Sequence, residues 1–177
     1  MASVFGHILV SSTIGVTGFS REASFKALLL AGICAAIPDA DVLAFRFGIP
    51  YTSIWGHRGW THSLTFALVF GTAVAGLFYG KTRDWWKMAL WFVLATASHP
   101  LLDMLTTGGR GCALWWPFSD ERLFFPVRVI QVSPLGARAF FSEWGLSVLY
   151  SEAFWIGLPC LVLLALRRLL RITIQAT

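Results

Sequence analysis

Apolar residues in this chain fall into five long runs that are separated by short polar stretches. The runs cover residues 4–19, 25–47, 63–79, 85–105 and 145–166. Because a helix needs roughly 20 mostly apolar residues to cross a bilayer, runs of this length indicate membrane-spanning helices. The first run is short for a full span, so we expect it to tilt or to be partly buried in protein. The pattern predicts an all-α fold, a polytopic membrane helix bundle of about five spans.

The composition of the chain agrees with a membrane location. Hydrophobic residues make up 56% of the chain and charged residues only 13%, whereas soluble domains carry roughly 25% charged residues. The length suits a single domain, 1–177. In a membrane protein, a net charge of +5 reflects lysine and arginine in cytoplasmic loops, and the chain has neither zinc-finger spacing nor a basic stripe. We therefore expect the lipid bilayer, and no nucleic acid, as a partner.

The basic residues predict how the bundle is oriented. Arg167 and Arg168 follow the last apolar run, so the positive-inside rule places the C-terminus in the cytoplasm. Counting back through five spans puts the basic stretches 21–26 and 81–87 on the same side. The N-terminus and the remaining polar stretches then lie on the outer side of the membrane.

Most of the candidate chemical groups lie in three polar islands on that outer side. The islands are residues 38–41, 57–63 and 99–103. At 1.5 Å per helical residue, His7, Asp39 and His99 each lie roughly 20 Å from the nearest basic residues, and His62 lies roughly 28 Å from them. Four segments therefore bring ligand-type residues to one layer, which predicts a metal site.

His99 and Asp103 have the spacing of a pair that binds one cation. They are four residues apart and share one face of a helix. Such pairs also occur as ordinary surface pairs, but ionisable groups inside a membrane are costly and usually mark function. We therefore predict that both residues are metal ligands.

Asp39 and Asp41 are two residues apart, and a regular helix would point them in different directions. Pro38 interrupts the helix and its hydrogen bonding, so the turn can aim both carboxylates at one cavity. The alternative is a helix-end turn whose carboxylates face headgroup water. In the first case Asp39 or Asp41 is a ligand or a general base.

His57 and His62 are five residues apart, with Gly59 between them to permit a tight turn. A loop that runs into a helix starting near Thr61 would bring both histidines to one ion; the alternative is a polar interhelical loop. Arg58 is expected to pair with a carboxylate or to bind an anionic substrate.

The candidate site has seven members. They are His7, His57, His62, His99 and Asp103 as metal ligands, with Asp39 and Asp41 as catalytic carboxylates. Mixed imidazole and carboxylate donors favour zinc, and manganese, iron or nickel are alternatives. Seven groups exceed one tetrahedral set, so either two ions bind or one ion binds beside a carboxylate that acts as general base. Both arrangements can activate a water near neutral pH.

In this order, the motifs resemble those of a known family. The sequence is similar to the YdjM-type inner-membrane metal-dependent hydrolases, which are described in some bacteria as under LexA control. The similarity lies in five elements: GH at 6–7, PDAD at 38–41, HRGWTHS at 57–63, HPLLD at 99–103 and GG at 108–109. The resemblance extends over about residues 5–117. It implies a multi-pass inner-membrane hydrolase, whose outer face is periplasmic. A weaker similarity is to zinc-dependent phospholipase C, whose His-x-x-x-Asp pair matches His99 and Asp103.

The resulting hypothesis is a hydrolase that uses a metal-activated water on a phosphoester, or another ester, of a lipid or envelope substrate. The alternative is a non-enzymatic divalent-metal transporter or a metal-sensing membrane protein. A transporter needs polar groups that continue across the bilayer, and the inner halves of the last three apolar runs carry almost none. The sequence therefore favours a one-sided site.

Overall fold

The computed structural model describes residues 1–176, with side chains except at 137 and 171–176, and over this range the regular structure is helical. The helices are α1 (Val4–Gly18), α2 (Phe25–Ala36), α3 (Leu64–Tyr79), α4 (Trp85–Met104), α5 (Ala137–Phe140), α6 (Glu143–Glu152) and α7 (Leu158–Ala176). A 3₁₀ helix, Ile37–Phe47, follows α2, and a short one, Trp60–His62, precedes α3. A π-helical turn, Ala153–Gly157, joins α6 to α7. The all-α prediction is confirmed.

Serine residues begin three of the helices. Ser3, Ser24 and Ser63 precede α1, α2 and α3, and each hydroxyl accepts a hydrogen bond from the amide three residues further on. Such N-caps satisfy one of the amides that the first turn of a helix leaves without a partner. This matters inside a membrane, because no water is available there to replace the missing acceptor.

Helix α4 packs against α1, α2 and α3, and small residues allow close approach. Trp91 of α4 is fully buried and donates its indole N–H to the carbonyl of Ser11 at 3.0 Å. A Cβ on Gly15 would lie 1.9 Å from the Trp91 ring. A Cβ on Gly71 of α3 would lie 2.5 Å from the backbone nitrogen of Val93. Glycine at these two positions is therefore a packing requirement.

Two helical segments are long and apolar enough to cross a membrane, Phe25–Phe47 and Glu143–Leu170. Helices α1 and α3 have 15 and 16 residues, which is about 23–24 Å of helix against a hydrocarbon core of about 30 Å. Helix α4 is longer, but Lys87, His99 and Asp103 interrupt its apolar character. The prediction of five spans is thus not confirmed, and within residues 1–176 the structure supports two.

The two ends of the helix bundle differ: one end carries basic residues, and the other is covered by an irregular segment of the chain. At one end the Lys87 amine lies 3.2 Å from the Glu22 carboxylate, and Lys26 lies over the ring of Tyr79. At the other end the irregular segment 105–136 folds over α3 and α4, where the Leu64 amide donates to the Leu114 carbonyl at 3.0 Å. The polar islands lie at this second, covered end.

We predict that Gly71→Ala destabilises the bundle and that Gly76→Ala does not. The new methyl at position 71 meets the backbone of α4, which cannot move without separating the helices, so the free energy of unfolding should fall by about 1–3 kcal/mol. Gly76 lies on the same helix with nothing within 4 Å of its virtual Cβ, and alanine should there be neutral or stabilising by up to about 1 kcal/mol. Unfolding in mixed detergent measures both, and equal effects would contradict the packing described.

Candidate metal centre

Four side chains from three parts of the chain meet at the covered end of the bundle. Asp39 comes from the 3₁₀ helix after α2, His62 from the short helix before α3, and His99 and Asp103 from α4. One donor atom from each residue lies within 4.8 Å of the others. His62, His99 and Asp103 are fully buried and Asp39 is 7% exposed. The sequence prediction that these segments converge therefore agrees with the structure.

The distances between the donors have the size of a metal site. The two imidazole Nε2 atoms of His62 and His99 lie 3.1 Å apart. The Asp39 Oδ1 atom is 3.3 Å from His99 Nε2 and 3.7 Å from His62 Nε2, and Asp103 Oδ2 is 3.7 Å from His62 Nε2. Donors bound at about 2.0–2.1 Å to one tetrahedral ion would be about 3.3 Å apart. One cation between these four atoms fits.

The hydrogen bonds of the two histidines leave their lone pairs facing each other. His99 Nδ1 lies 2.7 Å from the carbonyl of Ala35, which can only accept, so this nitrogen carries the hydrogen. His62 Nδ1 lies 3.2 Å from the carboxylate of Asp41, an acceptor as well. Both Nε2 atoms are then acceptors at 3.1 Å, a contact that is stable only with a proton or a cation between them.

Two oxygens at the centre also lack hydrogen-bond partners. Asp39 Oδ1 and Oδ2 are buried without one, although native proteins pair the large majority of buried polar atoms. Asp103 Oδ2, in contrast, is paired with the guanidinium of Arg58 at 3.0 Å. With neutral histidines, the carboxylates of Asp39, Asp41 and Asp103 and the guanidinium of Arg58 leave a net charge of −2. One divalent cation neutralises the charge of these four groups.

Asp41 lies behind the four donors and orients two histidines. Its Oδ1 accepts from His57 Nδ1 at 2.6 Å. Its Oδ2 accepts from the Thr61 hydroxyl at 2.6 Å and the Arg58 amide at 3.1 Å, and also faces His62. Carboxylates that hold the second nitrogen of a ligand histidine fix its tautomer and orientation. With both oxygens engaged, Asp41 is poorly placed to act as general base.

The 3₁₀ geometry explains why Asp39 and Asp41 separate. In a helix with three residues per turn, positions two apart point to different sides, and Pro38 at the start removes an amide that α-helical bonding would need. Asp39 approaches His62 from the Nε2 side and Asp41 from the Nδ1 side. The two carboxylates do not converge on one cavity, which was one of the two alternatives that the sequence left open, but contact opposite ends of one imidazole.

His7 and His57 are not among the four donors, although His57 belongs to a second possible group of donors with Asp41 and His62. His57 contacts Asp41, as described, and its ring packs edge-on against Tyr51 at 5.2 Å between centroids. His7 stacks on His99 at 3.8 Å between ring centroids, and its Nε2 lies 3.6 Å from Asp103 Oδ1. Both residues lie in the predicted layer, but their ligand role stays a prediction.

Arg58 is engaged by the protein at every guanidinium nitrogen. Its Nε lies 3.0 Å from Asp103 Oδ2, and Nη2 donates to the Thr106 hydroxyl at 3.0 Å. Nη1 donates to the carbonyls of Gly108 and Arg110 at 3.2 and 2.8 Å. Burial would lower the pKa of Arg58, but the charge of Asp103 outweighs it and keeps the guanidinium protonated. The expected pairing with a carboxylate is present, whereas the expected contact with substrate has no support in this geometry.

The backbone around Arg58 is under strain that these contacts maintain. Arg58 has φ +62°, in the left-handed region that costs an L-residue about 1–2 kcal/mol. The next residue, Gly59, approaches Ile54 so closely that a Cβ would lie 1.8 Å from its carbonyl oxygen. A second arginine, Arg122, donates to the His57 carbonyl at 2.9 Å and holds the same loop. The loop is therefore fixed from both sides.

Sequence reasoning missed two hydrogen-bond partners of the centre and one buried acidic residue outside it. The Ala35 carbonyl and the Thr61 hydroxyl carry no sequence signal as hydrogen-bond partners of histidines. Glu152 was also missed: it is buried in the segment Glu143–Leu170, and both its oxygens accept hydrogen bonds from Ser3 at the start of α1. An acidic residue inside an otherwise apolar run is a signal that should have been used.

Comparison with known proteins gives one family and a related inner-membrane protein. Residues 1–175 match the family model described as YdjM inner membrane protein. The chain is 41% identical to the inner membrane protein YbcI of Escherichia coli strain K12 over 172 residues, which covers 94% of this chain and 96% of that protein. No solved structure matches.

Loss of a direct donor should abolish stoichiometric metal binding, whereas loss of a partner of Asp41 should only weaken it. We expect His99→Ala and Asp39→Ala to purify without bound metal. His57→Ala should still bind one ion, with affinity lowered about 10-fold, as is typical when an outer hydrogen-bond partner is removed. Metal analysis and competition with a chelator measure both. Full metal occupancy in His99→Ala would contradict the assignment of donors.

Metal binding should release about one proton near neutral pH. Burial alone would lower the pKa of His62, but the carboxylates of Asp39 and Asp41 outweigh it and raise the pKa to about 9. A cation must displace that proton, so affinity should rise about tenfold per pH unit as the pH approaches 9 from below. Calorimetry in buffers of different ionisation enthalpy counts the protons released. An affinity independent of pH would refute this.

Proposed function

The chain belongs to the YdjM inner membrane protein family, and we propose that it is a membrane-bound metal-dependent hydrolase. The single observation that carries the proposal is a buried cluster in which two imidazole lone pairs face each other beside the Asp39 carboxylate, whose two oxygens have no hydrogen-bond partner. Structural zinc sites also use four protein donors, but the family resemblance of the motifs favours a hydrolytic site.

The residues of the centre would divide the chemistry among them. Asp39, His62, His99 and Asp103 would hold the cation, with zinc as the first choice and manganese or iron also suited to this donor set. When bound, a divalent cation lowers the pKa of water and stabilises negative charge. Asp39 Oδ2 has no hydrogen-bond partner and belongs to the most exposed of the four residues. We assign this oxygen as the acceptor of the proton from the attacking water.

A lipid or envelope ester suits the position of the site. A cavity of about 300 Å³ lies beside the start of α1, and its lining includes Phe5 and Phe140. Ser3 also lines it, and the neighbouring Ala2 donates its amide to Asp103 at 2.7 Å. The cavity is apolar, and Ser3 in its lining is the neighbour of Ala2, which contacts the metal donor Asp103. The cavity could therefore accept an acyl chain while the ester lies near the cation. A phosphoester is the preferred reacting group.

The distribution of polar residues argues against the alternative of a metal transporter. The core at the basic end of the bundle is built of apolar residues such as Ala31, Trp91 and Phe92. Among the described residues, no second group of metal donors lies in that half. The basic end would be cytoplasmic together with the C-terminus, and the centre would face the periplasm.

A paired assay separates hydrolysis from transport. Detergent-purified protein, reloaded with zinc or manganese, is screened against phospholipids and other phosphoesters, with His99→Ala and metal-stripped protein as controls. We expect phosphoester cleavage that requires both the metal and His99. In parallel, the same protein in liposomes is assayed for metal uptake. Uptake without cleavage would overturn the proposal in favour of a transporter.

A further inference from the structure

His7 is a fully buried imidazole whose two ring nitrogens have no hydrogen-bond partner. A neutral imidazole has one donor and one acceptor in either tautomer, so both are unsatisfied. The nearest carboxylate oxygen, Asp103 Oδ1, lies 3.6 Å away and already accepts from the Ala2 amide at 2.7 Å. Buried polar atoms without partners are rare in native proteins and call for a ligand or a role.

The ring geometry excludes His7 from the cation that His99 would hold. The two rings are nearly parallel, with 14° between their planes and 3.8 Å between centroids, so the planes are about 3.5 Å apart. A metal–imidazole bond of about 2.0–2.1 Å lies in the plane of its ring. A cation in the plane of His99 is therefore too far from the plane of His7 to be bound by both.

The four protein donors leave His7 beside the centre but outside its donor set. Four protein donors fill a tetrahedral site, so a ligand from outside the protein would have to bind as a fifth ligand, an expansion that zinc sites can undergo. If the centre is hydrolytic, that ligand also needs a hydrogen-bond partner among the side chains that surround the centre. His7 lies against both His99 and Asp103, and neither of its ring nitrogens has a hydrogen-bond partner.

We propose that His7 binds an oxyanion that the centre takes up as its non-protein ligand, by donating a ring N–H to one of its oxygens. The proposal rests on the metal-dependent function proposed above and adds a residue that contacts the substrate. An oxyanion fits because it offers only acceptors, and a centre neutralised by one divalent cation does not repel it. A phosphoester substrate carries this group.

The test uses full-length protein loaded with Co²⁺, whose visible absorption reports changes in its ligands, and inorganic phosphate as the probe. Wild-type protein should bind one Co²⁺ per chain and show a saturable spectral change with phosphate. His7→Phe keeps a ring stacked on His99 and should still bind one Co²⁺, but with phosphate affinity at least about 10-fold weaker. His7→Asn, which restores a donor, should recover part of that affinity. Ser11→Ala, a buried change one turn further along α1, should behave as wild type.

The outcomes separate this inference from the proposed function. If wild-type protein binds no Co²⁺, both fail. If His7→Phe loses Co²⁺ while remaining folded by gel filtration and thermal unfolding, His7 is a ligand and the inference is wrong. If wild type does not respond to phosphate, or if His7→Phe binds phosphate equally well, the inference is wrong while the metal centre stands. If His7→Phe does not fold, three other variants decide the matter. The inference is wrong if His7→Ala, which has no donor, binds phosphate as tightly as His7→Asn and His7→Gln, which each have one.

Discussion

The structure depends on one electrostatic constraint, the close approach of two imidazole lone pairs and two carboxylates in a buried position. His62 and His99 present Nε2 atoms 3.1 Å apart, and the oxygens of Asp39 and Asp103 close the same space. In a medium of low polarity, this arrangement is repulsive unless a positive charge lies at its centre. A cation held between them would remove the repulsion and satisfy all four groups at once.

The surrounding residues hold this arrangement in place from several directions. The Ala35 carbonyl and Asp41 fix the tautomers of the two histidines. Arg58 joins Asp103 to the segment that covers the bundle, in a left-handed backbone conformation. Such outer contacts set ligand orientation and hence metal affinity. The charge of the buried Arg58 thus serves the geometry of the centre.

The sequence predicted which segments meet because helical spacing converts residue number directly into depth. Counting from the basic residues placed His7, Asp39 and His99 in one layer, and the structure brings them there. It could not predict that Asp41 contacts the far side of His62, since this depends on the 3₁₀ turn after Pro38. The five spans are not confirmed because helices α1 and α3, which match their apolar runs to within one residue at each end, are shorter than the hydrocarbon core is thick.

The most direct test is a structure of the metal-loaded protein with anomalous scattering at the metal edge. The account predicts one strong peak per chain, about 2.0–2.1 Å from the Nε2 atoms of His62 and His99 and bounded by Asp39 and Asp103. A peak bounded by Asp41 and His57, or well-ordered side chains without any peak at this position, would contradict it.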